Sequence, residues 1–142
     1  MVRKIAMNWS LHLITGLVIM PVLLGGYWLL WPYAPFRETG TPTVFTPSVK
    51  AGGALEVRRY LCVEGHRYRA NRRMIGPDGT QIVLTPESGV SRPGCYSRTV
   101  LVTIPDWAPA GWYDYHASLS YEVNPLRTVT IDLLPVRIEV TR

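Results

Sequence analysis

No aspartate, glutamate, lysine or arginine occurs between Lys4 and Arg37. A stretch that long without charge is excluded from a water-facing surface, and its centre, WSLHLITGLVIMPVLLGGYWLLW at residues 9–31, has the length that crosses a hydrocarbon core, roughly 20 apolar residues. Lysine is nearly absent, with Lys4 and Lys50 alone, so the excess of 15 basic over 10 acidic residues is an excess of arginine. A formal charge of +5 is modest, and no nucleic-acid partner is expected from it. The three histidines, His12, His66 and His116, fall in unrelated settings. No HExxH or paired CxxC spacing accompanies them, and no glycine-rich loop follows a strand and opens a helix, so no metal and no cofactor is expected. Asp114, His116 and Ser118 have the residue types of a hydrolase triad, but neighbours two apart on a strand are separated by about 6.5–7 Å, too far to activate a serine. An enzyme is not expected.

What is present sets a topology. Residues 1–8 carry Arg3 and Lys4, and the positive-inside rule keeps that flank in the cytoplasm. Trp9 marks one boundary of the span, and Tyr27, Trp28, Trp31 and Tyr33 mark the other, where amphipathic rings favour the interface; residues 9–31 thus contact membrane lipid. A cleaved signal peptide has a shorter apolar core of about 7–15 residues and a small-residue cleavage site. Tyr33-Ala34-Pro35 is a poor one. The expectation is an uncleaved signal anchor in the cytoplasmic (inner) membrane, passing once, with the C-terminal domain in the periplasm or its equivalent. Pro21 is expected to kink the helix.

Pro32, Pro35 and Pro42 make residues 32–43 an extended spacer. From there to residue 142 the chain reads as all-β, with seven runs at 44–49, 54–64, 67–75, 80–84, 95–104, 112–122 and 128–140. Gly76-Pro77-Asp78-Gly79 predicts a hairpin between the third and fourth runs, because proline presets one turn dihedral and glycine accepts a positive one. Alternation puts Tyr113, Tyr115, Ala117, Leu119 and Tyr121 on the buried side of the sixth run. In the last run the apolar phase shifts around Leu134-Pro135, predicting a bulge or break. The second run is ambiguous. Either Arg59 interrupts a face made by Leu55, Val57, Leu61 and Val63, or a bulge at Arg58-Arg59 turns Tyr60 and Cys62 inward.

Seven short strands, with Pro109-Ala-Gly-Trp-Tyr113-Asp-Tyr115 leading into the sixth, resemble an immunoglobulin-like sandwich of bacterial or phage type on an N-terminal signal anchor. The resemblance implies that Tyr113 forms a tyrosine corner, its hydroxyl tied to nearby backbone. Tyr115 stands where antibody-type domains carry a cysteine. It also sets the second run beside the fifth as an antiparallel neighbour, which implies a Cys62–Cys95 disulfide in an exported domain.

The densest charge cluster contains Arg58, Arg59, Arg67, Arg69, Arg72 and Arg73. Arg58, Arg67, Arg69, Arg72 and Arg73 are the candidate anion- or partner-binding residues, suited to lipid phosphates, cell-wall carboxylates or an acidic protein. The expected function is membrane-anchored binding or scaffolding as a subunit of a larger envelope or virion assembly, with strand edges as protein contacts; oligomer formation is compatible with this. The alternative is a membrane-acting effector, of phage lysis or superinfection-exclusion type, that works through the helix.

Overall fold

The computed structural model describes residues 2–30, 33–124 and 127–142, the side chains of residues 2–11 excepted. The chain divides into two units, Met1–Tyr33 and Ala34–Arg142.

The first unit is one helix, α1, Val2–Leu30. Within it, His12–Leu30 has a mean hydropathy of 2.0 and buries nothing against protein, so it is long and apolar enough to cross a membrane. The helix continues through Pro21 as a single element, a tolerance typical of membrane helices.

Among the described residues the second unit has ten strands: β1 Phe36–Glu38, β2 Thr43–Val44, β3 Ser48–Lys50, β4 Ala54–Val63, β5 Arg67–Ile75, β6 Gln81–Val90, β7 Gly94–Thr103, β8 Gly111–Asn124, β9 Arg127–Asp132 and β10 Val136–Thr141. The count exceeds the seven runs for three reasons. Phe36–Glu38, expected in the spacer, pairs antiparallel with the end of β4. The run at 44–49 divides, β2 pairing with β4 and β3 with β10. The last run divides at Leu133-Leu134-Pro135 into β9 and β10, which pair with successive parts of β8. The division of the run at 44–49 follows a change of pairing partner, from β4 to β10, and that of the last run follows a break between two stretches of the same partner, β8.

In the smaller sheet, β4 is flanked by β7 on one side and by β1 and β2 on the other; in the larger, β3, β10, β8, β5 and β6 lie in order and β9 extends β10's side of β8. The two sheets share one apolar core. Leu55, Val57 and Val102 come from the smaller sheet, and Met74, Ile82, Tyr115 and Ile138 from the larger. On β8 the whole predicted row, Tyr113, Tyr115, Ala117, Leu119 and Tyr121, is buried. Phase changes from β9 to β10: Ile131 and Leu133 face the core, then Val136, Ile138 and Val140.

The ambiguity in β4 is resolved in favour of regular alternation. Leu55, Val57, Arg59, Leu61 and Val63 all point inward. The hairpin at Gly76–Gly79 forms as its residues dictate: Gly79 has φ +82°, Gly79 N–H donates to the Gly76 carbonyl at 3.0 Å, and Thr80 N–H donates to Asp78 Oδ1 at 3.0 Å.

Strand β6 is longer than the run at 80–84 because it continues through Pro86. Opposite β5 the register steps from Leu84–Arg72 to Glu87–Ala70, so β6 carries one extra residue at Thr85-Pro86. An edge strand accommodates such a proline and its bulge. The step reverses the alternation, and Glu87 turns toward the inside where unbroken alternation would turn it out.

Candidate binding faces

Five arginines were grouped by sequence; the fold distributes them over three places. Arg58 is exposed on the outer face of the smaller sheet, its guanidinium 4.5 Å from the centre of the Phe45 ring. Arg67, Arg69 and Arg73 are exposed on the outer face of β5 in the larger sheet. Arg72 points inward and is buried. That separation was legible, since Tyr68, Ala70 and Met74 mark the inner side of the same strand and Arg72 shares their parity.

Two inner ion clusters join strands distant in sequence. Arg59, 2 % exposed, donates from Nη1 to Glu38 Oε1 at 2.6 Å and from Nη2 to the Leu134 carbonyl at 3.0 Å. Glu38 Oε2 in turn accepts from Leu134 N–H at 2.9 Å. A guanidinium and a carboxylate inside the core thus satisfy each other and the backbone at the β9–β10 break. At the other edge, Glu87 accepts hydrogen bonds from Arg72, from Arg98 at 2.6 Å and from the Tyr68 hydroxyl at 3.2 Å. Burial alone would raise the Glu87 carboxyl, but the Arg72 hydrogen bond and charge, the Arg98 charge and the Tyr68 hydroxyl together hold it below its ordinary value. A cavity of about 40 Å³ lies between these clusters, bounded by Arg59, Arg72, Arg98 and apolar side chains. Burial pushes the Tyr115 and Tyr121 phenols up, so neither contributes a negative charge at neutral pH.

The outer face of the larger sheet is different in kind. Register across β5, β8 and β9 sets side chains in rungs: Arg73 opposite His116; Asn71 opposite Ser118, then Asp132; Arg69 opposite Ser120, then Thr130. Ser120 and Thr130 hydroxyls are 3.0 Å apart. Two shallow depressions, of about 520 and 600 Å³, run along this face and share Asn71. Asp114, His116 and Ser118 occupy successive rungs of the same face, the strand spacing that already separates a triad's members. Near the start of β8, the Arg137 guanidinium lies 5.4 Å from the centre of the Trp112 ring.

Cys62 and Cys95 are directly opposite in the β4–β7 ladder and are joined by a disulfide. Cys62 alternates outward and Cys95 is exposed, so the bond lies on the outer face of the smaller sheet. Tyr113 donates its hydroxyl to the Pro109 carbonyl at 2.9 Å, fixing the approach to β8. Of the aromatics assigned to the membrane interface, Tyr27 and Trp28 are half-exposed on α1 and Tyr33 follows it. Trp31 lies outside the described residues, as does the side chain of Trp9.

No protein-family model matches the chain, and no curated protein matches it by sequence. Among solved structures, it is similar to the C-terminal domain of wzt, at 14% identity over 82% of this chain and 85% of that one, with a TM-score of 0.49. It is also similar to the sporulation control protein Spo0M from Bacillus subtilis, at 11% identity over 78% of this chain and 51% of that one, TM-score 0.43. A family 123 glycoside hydrolase from Clostridium perfringens shares 13% identity over 66% of this chain and 22% of its own, TM-score 0.37. These likenesses are too distant to carry anything about activity.

Proposed function

We propose that this chain is a single-pass protein of the cytoplasmic membrane, amino terminus inside, whose immunoglobulin-like β domain stands in the periplasm and binds or scaffolds a component of the cell envelope or of a virion-associated assembly. The observation that carries the reading is the outer face of the larger sheet, where polar side chains of β5, β8 and β9 are presented in register across three strands. A face built only for solubility needs mixed charge, whereas the central rungs here are largely uncharged hydrogen-bonding side chains, Asn71, Ser118, Ser120 and Thr130. The disulfide supports an oxidising compartment for the same domain, and the basic flank of α1 supports the orientation.

The test is photo-crosslinking of the full-length protein in its native membrane, with the probe placed in turn at Asn71, Ser118 and Arg58. Recovery of a defined envelope component from the first two positions supports the reading. Crosslinks to none, from any position, count against it.

A second reading is favoured by one observation on α1: His12, Thr15, Gly16, Ile19, Leu23 and Tyr27 lie along a shallow groove on one side of the helix. A membrane-acting effector would work through such a stripe. Scrambling residues 11–30 at constant composition separates the two readings, because an anchor tolerates it and an effector does not.

A further inference from the structure

On the outer face of the larger sheet, arginine and acid fall on different strands across β5, β8 and β9, while on β10 Arg137 stands opposite Asp114 and Glu139 follows it. Arg67, Arg69 and Arg73 all stand on β5, and the neighbouring outer positions of β6, among them Gln81, Val83, Ser88 and Val90, are uncharged. The acids stand on the opposite side: Asp114 and Glu122 on β8 and Asp132 on β9. The β5 arginines, with Asn71 in the same row, therefore face His116, Ser118 and Ser120 on β8, flanked by the carboxylates of Glu122 on β8 and Asp132 on β9. Along β5 the arginines are spaced about 7 Å and about 13 Å apart at strand rise, and the two depressions make one continuous trough beside them.

We propose that this trough binds a carboxylate-bearing polysaccharide, its carboxylates on the β5 arginines and its hydroxyls donating to Asp132 and Glu122, the acids that line it. The assignment rests on the reading of the β domain as a binding module and names its ligand. Three classes of partner differ in how they meet these arginines and acids. A polyphosphate satisfies the arginines but brings no hydroxyl donors to Asp132 and Glu122. A protein interface is centred on apolar and aromatic anchors, whereas the middle rungs here are Arg, Asn, Ser, His and Asp and the exposed apolar side chains, Val83 and Val90, stand at the β6 edge of the depressions. An acidic glycan carries anions and hydroxyl donors together, and planar Arg and Asn side chains pair with both. Trp112 lines neither depression, so stacking of a sugar on its indole does not contribute to binding there. Neutral glycans bring no anion to Arg67, Arg69 and Arg73 and are discriminated against.

Full-length protein in lipid nanodiscs is titrated calorimetrically with oligogalacturonate, with neutral dextran and with polyphosphate. Binding of oligogalacturonate alone is expected, weakening as salt rises. Arg69→Ser and Asp132→Asn should each lower its affinity by about tenfold, and Arg58→Ser, on the other sheet, should leave it unchanged. All three are surface changes, and an unaltered thermal transition certifies each fold. Equal binding of dextran, tighter binding of polyphosphate, full affinity in both trough variants, or no binding by the native protein would each overturn the assignment. If oligogalacturonate fails while a protein is still crosslinked at Asn71, the glycan is refuted and the binding module stands; if both experiments are empty, both readings fall.

Discussion

Arg59 is the residue the sequence left ambiguous, and its role depends on a partner 21 positions away. Read alone, a guanidinium in an apolar row argues for a bulge. Paired with Glu38 it needs none, since the charge is neutralised and both groups are hydrogen-bonded. Glu38 could not be recognised from the sequence because it lies among prolines that read as a spacer. Removing one member strands the other in the core, so Glu38→Ala should lower unfolding free energy by about 3–5 kcal/mol. The double replacement Glu38→Leu with Arg59→Met should cost less than that single change. Denaturant titration of the three proteins measures both, and a single variant as stable as the native chain would show that the pair is dispensable. Glu87 makes a prediction in pH. Its carboxyl is held below the ordinary value of 4.5, so its contribution is present above that pH and is lost as pH falls through the lower folded value. Glu87→Gln should therefore flatten the acid side of a stability–pH profile and leave its alkaline side unchanged.

Individual strands were legible wherever alternation was strict. β8 carries five inward residues of one parity, and the strand is buried along that row as the sequence dictates. Strand ends were less legible, because a proline ends a run in sequence but is accepted at an edge. Pro86 is the instructive case: it marks the bulge that turns Glu87 toward Arg72 and Arg98. The approach to β8 supplies a test at this scale. Tyr113→Phe removes the hydroxyl that donates to Pro109 and keeps the buried ring. A loss of about 0.5–1.5 kcal/mol is expected, with the greatest gain in amide exchange in the loop between β7 and β8. Exchange that rises uniformly across the domain would argue against this local role.

For the whole molecule, the charge-free stretch made the helical unit plain, and regular turn signals made the β class plain. The order of strands was not plain, because β1, β2, β3, β9 and β10 are short pieces whose partners are chosen by tertiary packing rather than by local pattern. The disulfide is the tie that acts across the fold, closing a separation of 33 residues. Cys95→Ser should lower stability by about 3–4 kcal/mol through loop closure. Adding reductant should bring the native protein to the level of the variant and leave the variant unmoved.

The same bond has a mechanical consequence. Arg37 of β1 is registered against Cys62 of β4, and Cys62 is bonded to Cys95 of β7. Tension entering the domain along the chain from α1 therefore reaches β1 first, passes to β4 through backbone hydrogen bonds, and meets a covalent rivet to β7 at the same rung. Under load β1 can shear away, but β4 cannot unzip from β7 at that end, and the 33-residue separation between the cysteines stays out of the extensible length. At about 3.3–3.6 Å per residue, reduction should lengthen the fully pulled chain by roughly 110–120 Å. The domain thus carries a fixed stop against extension at the Cys62–Cys95 rung.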